Sequence, residues 1–172
     1  MRAVLLIVVV ALLGMASAAK KNPKECEVCK KVVSRVVDTV KEQGKDVTDV
    51  DATEAALWKL CRETKNHKEG RFCYYVGAAD DAATGLVREV TQPLSRFLPA
   101  DAVCNKLKKK DSQICELEYD EPVDLSKIDL EKQRVKVLKK ILSDQFNDAC
   151  KGCLEKSDYI KRIRELSAKQ EL

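Results

Sequence analysis

The sequence predicts an all-α protein, built as a larger N-terminal helical domain followed by a small C-terminal helix-loop-helix. Three observations predict it. Apolar residues recur at i, i+3, i+4, i+7 spacing in several segments, and no strand-like alternation of useful length competes with them. The acidic, proline-bearing stretch 116–126 separates two such helical regions. The chain has 172 residues, eight cysteines and only 5% aromatic residues, so its cores must use Val, Leu, Ile and Ala and gain from covalent cross-links. That length also excludes large enzyme architectures such as the (β/α) barrel.

Residues 1–19 are set apart as a secretory signal peptide. Arg2 precedes the apolar run Ala3 to Leu13, and Ala16-Ser17-Ala18 forms a small-residue cleavage site. The apolar run is shorter than the roughly 20 residues that cross a bilayer. From Cys26 to Val40, the apolar positions Cys26, Val28, Cys29, Val32, Val33, Val36, Val37 and Val40 mark a helix despite its valines, with both cysteines on the buried face and Gly44 beyond its end. A second helix is expected near Asp51, with Glu54 three residues on, running through Ala55, Leu57, Leu60 and Cys61.

The polar link Arg62 to Arg71 reads as a turn, and places His67 in a loop. A third helix is expected to take Asp80 or Asp81 as its cap and to run through Leu86, Val90 and Leu94 to Leu98, kinked at Pro93. Pro99 opens a fourth with Val103, Cys104 and Leu107, whose last turn carries Lys108, Lys109 and Lys110 against the helix dipole. After the linker, Asp129 is expected to cap a helix through Leu130, Val135, Val137, Leu138, Ile141 and Leu142. Ser157 or Asp158 is expected to cap a last helix through Ile160, Ile163 and Leu166. The resulting division is signal peptide 1–19, N-terminal domain 20–117, linker 118–126 and C-terminal domain 127–172.

All eight cysteines, Cys26, Cys29, Cys61, Cys73, Cys104, Cys115, Cys150 and Cys153, follow the leader, and an even count in an oxidising compartment reads as disulfides. The alternative, a zinc site made from the two C-x-x-C pairs, is disfavoured by the distance between the pairs and by the four cysteines between them. Cys150-Lys151-Gly152-Cys153 has oxidoreductase spacing, but a thioredoxin fold needs a mixed sheet that a short helical region cannot supply. It is read as a structural or regulatory bridge, with catalysis as the alternative. No Ser/His/Asp constellation is expected around His67, the single histidine, and no phosphate loop or metal motif is present; no cofactor and no metal are expected. The formal net charge of +4 carries no large field, which argues against nucleic-acid binding.

Six of the cysteines, spread over an all-helical secreted region with C-x-x-C in the first helix, resemble the saposin-like pattern. Three segments carry a closer match: Cys73 to Thr84 (CYYVGAADDAAT), Lys108 to Leu117 (KKKDSQICEL) and Cys150 to Ile160 (CKGCLEKSDYI). With these the chain resembles the MANF/CDNF (ARMET-like) family of neurotrophic factors, most like its invertebrate members, over nearly all of the mature sequence.

The resemblance implies a saposin-like N-terminal domain and a C-terminal domain like SAP helix-loop-helix modules. It implies a non-enzymatic cytoprotective factor of the unfolded protein response, resident in the endoplasmic-reticulum lumen and secreted, which binds the BiP-type lumenal Hsp70 and lipids. It also implies the pairing Cys26 to Cys115, Cys29 to Cys104, Cys61 to Cys73 and Cys150 to Cys153. A monomer is expected. The chain ends soon after its last helix, without the longer tail of vertebrate members, so contacts made through that tail are not carried over.

Two further motifs suggest partners. Lys169-Gln170-Glu171-Leu172 resembles the K-D-E-L address and points to the KDEL receptor. Lys106, Lys108, Lys109 and Lys110 form a basic cluster that could meet anionic lipids or sulfolipids, against the plainer reading of a solvated helix end. A saposin-type lipid-binding module as the main activity is therefore the alternative function.

Overall fold

The computed structural model describes residues 24–170; the signal-peptide assignment and the last two residues of the retention motif lie outside them. Among the described residues the fold is all-α, with no strand, and no helix is long and apolar enough to cross a membrane. α1 (Glu27–Glu42) buries Val28, Cys29, Val32, Val33, Val36 and Val40 on one face. The stripe overrides the strand preference of its valines because it covers a core from one side, which only the helical period allows here.

α2 (Val50–Glu63) starts a little before the predicted position. Its cap is Asp49, whose side chain accepts from the Ala52 N–H at 3.0 Å, while Asp51 lies inside the first turn. The expected polar turn at 62–71 is corrected: it is only three residues long. Asn66 accepts from the N–H groups of Lys68 and Glu69 and starts α3 (His67–Val76), so His67 is a first-turn helical residue and not a loop residue. Glycine at position 70 and the surrounding charges hid this helix from the apolar pattern, but Glu69, Phe72, Cys73 and Val76 are its buried face.

The helix expected from Asp80 to Leu98 is also corrected. Residues 78–86 form a turn and an irregular stretch, and α4 spans only Val87–Ser95. It ends soon after Pro93, and Phe97 follows in the left-handed region at φ 59°. α5 (Ala100–Lys110) begins directly after Pro99, and α6 (Gln113–Glu116) is a single extra turn that buries Ile114 and Cys115.

Asp129 does act as a cap, but of a three-residue 3₁₀ turn, Leu130–Lys132. The continuous helix expected from it is broken at Gln133 and Arg134, which are extended, and α7 spans Val135–Phe146. Val135 and Val137 are accordingly exposed, whereas Leu138, Ile141 and Leu142 are buried. α8 (Lys156–Gln170) buries Tyr159, Ile160 and Ile163.

Two hydrophobic cores result. The first gathers α1 to α6 around Val33, Val36, Leu57, Phe72, Val90 and Leu107; the second gathers α7, α8 and the 3₁₀ turn around Leu138, Leu142, Ile160 and Ile163. The connecting segment is shared: Leu117 and Tyr119 pack on the first core, Val123 and Leu125 on the second. The disulfides Cys26–Cys115 and Cys29–Cys104 join α1 to α6 and to α5, Cys61–Cys73 joins α2 to α3, and Cys150–Cys153 closes the loop before α8.

Candidate binding surfaces

The C-x-x-C loop lies between α7 and α8. Asn147, left-handed at φ 50°, ends α7, and Asp148 then holds the loop from within: one carboxylate oxygen accepts from the Cys150 N–H at 2.5 Å, the other from Arg162 of α8 at 2.5 and 3.0 Å. Partial burial pushes the Asp148 carboxyl up, but the Arg162 guanidinium and the Cys150 N–H together hold it below the usual carboxylate range. At the far side, Asp158 accepts from the N–H groups of Leu154 and Glu155, each at 2.9 Å, and the Tyr159 hydroxyl donates to the Cys153 carbonyl at 3.1 Å.

Cys150 is buried and left-handed at φ 48°, and the first residue of α8 comes only at Lys156. The loop therefore does not present its first cysteine at a helix N-terminus, the placement that stabilises an attacking thiolate. What it does present is Leu154, 91% exposed on a segment fixed at both ends.

The lysine cluster sits at the end of α5. Lys106 and Lys109 are exposed, Lys108 pairs with Glu25, and Lys110 lies 3.6 Å from Glu89. Two of the four charges are thus engaged within the domain. Of the terminal motif, Lys169 and Gln170 form the end of α8; Glu171 and Leu172 lie outside the described residues.

A set of residues that the sequence did not single out pins the linker to the N-terminal domain. Glu69 of α3, 5% exposed, accepts from Arg35 at 2.7 and 2.8 Å, from the Thr64 hydroxyl at 2.7 Å and from the Tyr119 hydroxyl at 2.8 Å. Burial pushes the Glu69 carboxyl up, yet Thr64, Tyr119 and Arg35 bring it below its ordinary range; burial and the Glu69 charge push the Tyr119 phenol up. Tyr119 also donates its N–H to Glu27 at 3.0 Å and lies under Lys31, 5.0 Å from the ring centroid.

Beyond this point the Lys65 N–H donates to the Asn147 side chain at 2.6 Å, and the Asn66 side-chain amide donates to the Asp144 carbonyl at 3.3 Å. The only sequence signal for this clasp was an aromatic residue, Tyr119, inside an acidic linker. Among the described residues no group of His, Cys, Asp and Glu is arranged to hold a metal ion.

Comparison with known families matches both regions. The model described as ARMET, N-terminal covers residues 25–123, and that described as ARMET, C-terminal covers residues 127–170.

Proposed function

Because the chain belongs to the ARMET family, that of the MANF and CDNF factors, over both of its domains, we propose that it is a non-enzymatic cytoprotective factor that acts by binding. It is resident in the endoplasmic-reticulum lumen, where it serves the unfolded protein response, and is also secreted. Its main partner is a BiP-type lumenal Hsp70, taken by the C-terminal domain, and its terminus is read by the KDEL receptor. The observation that carries this reading is the double family match, each half falling on a region with a core of its own. The hydrogen-bonded C-x-x-C loop, with Leu154 exposed beside it, is the feature at that end of the molecule on which a binding role is proposed.

Capture of the chaperone from microsomes by the full-length protein tests the reading. Wild type should retain the chaperone and Leu154→Asp should lose most of it. Equal capture by both would move the contact elsewhere, and no capture by wild type would reject the chaperone role. Deletion of Lys169 to Leu172 should shift the protein to the medium of expressing cells; unchanged secretion would reject retention. An oxidoreductase would show repeated turnover of a disulfide substrate that Cys150→Ser abolishes, and none is expected.

Lipid association by the N-terminal domain is the second reading, supported by the saposin-like helices and by the exposed Lys106 and Lys109. Flotation with anionic or sulfolipid vesicles should weaken in Lys106→Ala/Lys109→Ala and at high salt. Indifference to both would leave these lysines as a solvated helix end.

A further inference from the structure

The cleft between the two domains concentrates positive charge from both. Lys65, His67 and Lys68, around the start of α3, line one side; Lys136, Lys139 and Lys140, spaced i, i+3 and i+4 on one face of α7, line the other. The cleft encloses about 680 Å³. Like charges brought together from two domains repel, and the chain supplies one internal counter-charge. Asp120 of the linker reaches Lys140 at 3.2 Å and Lys68 at 3.6 Å, spanning the two rims. The hydrogen bond from Lys140, and to a lesser extent Lys68, holds its carboxyl below the usual range.

The wall carries five lysines against three aspartates, Asp120, Asp144 and Asp148. Asp148 binds Arg162, and Asp144 accepts from the Ser143 hydroxyl at 2.9 Å. Lys65 on one rim, and Lys136 and Lys139 on the other, are exposed and make no ion pair among the described residues, so each rim keeps at least one cation without a carboxylate.

We infer that this cleft binds a compact polyanion with closely spaced sulfate or phosphate groups, joining Lys65 to Lys136 much as Asp120 joins Lys68 to Lys140. The one aromatic side chain other than His67 at the cleft, Tyr159, is 7% exposed and lies beneath Lys139, 5.4 Å from the ring centroid, so it offers no open face for stacking. Ser143 and His67 add further polar side chains to the wall. A bound polyanion relieves the repulsion between the rims and so strengthens the docking held by the Lys65–Asn147 and Asn66–Asp144 hydrogen bonds.

The test is calorimetric titration of the full-length protein with a heparin-derived tetrasaccharide and, separately, with inositol hexakisphosphate, at about 0.15 M salt where unfocused surface attraction is largely screened. Saturable one-to-one binding of at least one probe is expected, and the probe that binds identifies a sulfated glycan or a polyphosphate as the source of the anion. Lys65→Glu/Lys136→Glu should weaken binding about tenfold or more, whereas Lys45→Glu/Lys59→Glu, with the same change in net charge, should weaken it about twofold at most. All four lysines are exposed, so unchanged thermal unfolding checks that both variants fold. Absence of saturable binding to either probe, or equal losses in the two variants, would overturn the site.

Discussion

Glu69 shows how one buried carboxylate can be made a structural asset. Burial by itself would raise its pKa, but four hydrogen bonds from Arg35, Thr64 and Tyr119 outweigh that and hold it below the ordinary 4.5. A depressed folded-state pKa means that the folded chain keeps the charge where the unfolded chain takes up a proton. The stabilisation is therefore complete above about pH 4.5 and is lost as the pH falls through the folded value. Glu69→Gln should cost about 1–3 kcal/mol at neutral pH, and its stability should fall less than that of wild type between about pH 6 and pH 3. Urea unfolding at the two pH values checks both. Equal acid losses in wild type and variant would place the acid sensitivity elsewhere.

At the scale of single elements, the end of α3 explains why the segment Cys73 to Thr84 is so distinctive. Gly77 is left-handed at φ 85°, and the Ala78 N–H donates to the Cys73 carbonyl at 2.8 Å, closing the helix. The chain then returns so that the Thr84 hydroxyl donates to the Tyr74 and Tyr75 carbonyls, at 3.2 and 3.0 Å. A Cβ on Gly77 would lie 2.0 Å from the Thr84 carbonyl oxygen, which cannot give way without moving backbone. Gly77→Ala should thus destabilise the N-terminal domain by about 2 kcal/mol or more, read from the midpoint of urea unfolding.

The cross-links differ in the same way between elements. Cys26–Cys115 and Cys29–Cys104 close separations of 89 and 75 residues, whereas Cys150–Cys153 closes 3, so the chain-entropy contribution of the last is the smallest. Cys150→Ser should loosen the loop between α7 and α8, visible as amide shifts from Asp148 to Leu154 in NMR spectra. Resonances of α1 to α6 should stay in place, because their core contains none of that loop.

At the scale of the whole molecule, the docking of the two domains depends on few groups: Asp120, Asn147 and the turn 64–66. Asp120→Asn removes the counter-charge between Lys68 and Lys140 and leaves the basic rims facing each other. The domains of this variant should separate at low ionic strength and close again as salt screens the repulsion, the reverse of an ion pair that salt weakens. Small-angle scattering across a salt series would read this as a radius of gyration larger than wild type only at low salt. Asn147→Gly keeps the left-handed end of α7 but deletes the acceptor for the Lys65 N–H, so the Lys65 amide shift should move while the helicity stays constant.

Helical period, the run of cysteines and the acidic break between two apolar regions are local properties of the chain, and from them the sequence by itself determined an all-α architecture and the faces that α1, α5 and α8 bury. Val28, Cys29, Val32, Val33, Val36 and Val40 fall on one side only at the helical period, because a strand would turn Cys29 and Val33 away from the other four. Spacing could not select a cysteine pairing, because Cys26 and Cys29 share one helical face; packing α5 and α6 across that face is what brings Cys104 and Cys115 to them. Helix ends were less legible for the same reason. Asp49 and Asp51 are equally good caps in isolation, and the start of α3 at Asn66 and the break at Gln133 and Arg134 depend on what the neighbouring elements bury. Glu69 and Asp120 look like any other acidic residues in the chain. Only the tertiary structure decided that one lies buried against Arg35 and Tyr119 and the other between two basic rims, because electrostatic roles depend on distances between groups far apart in sequence.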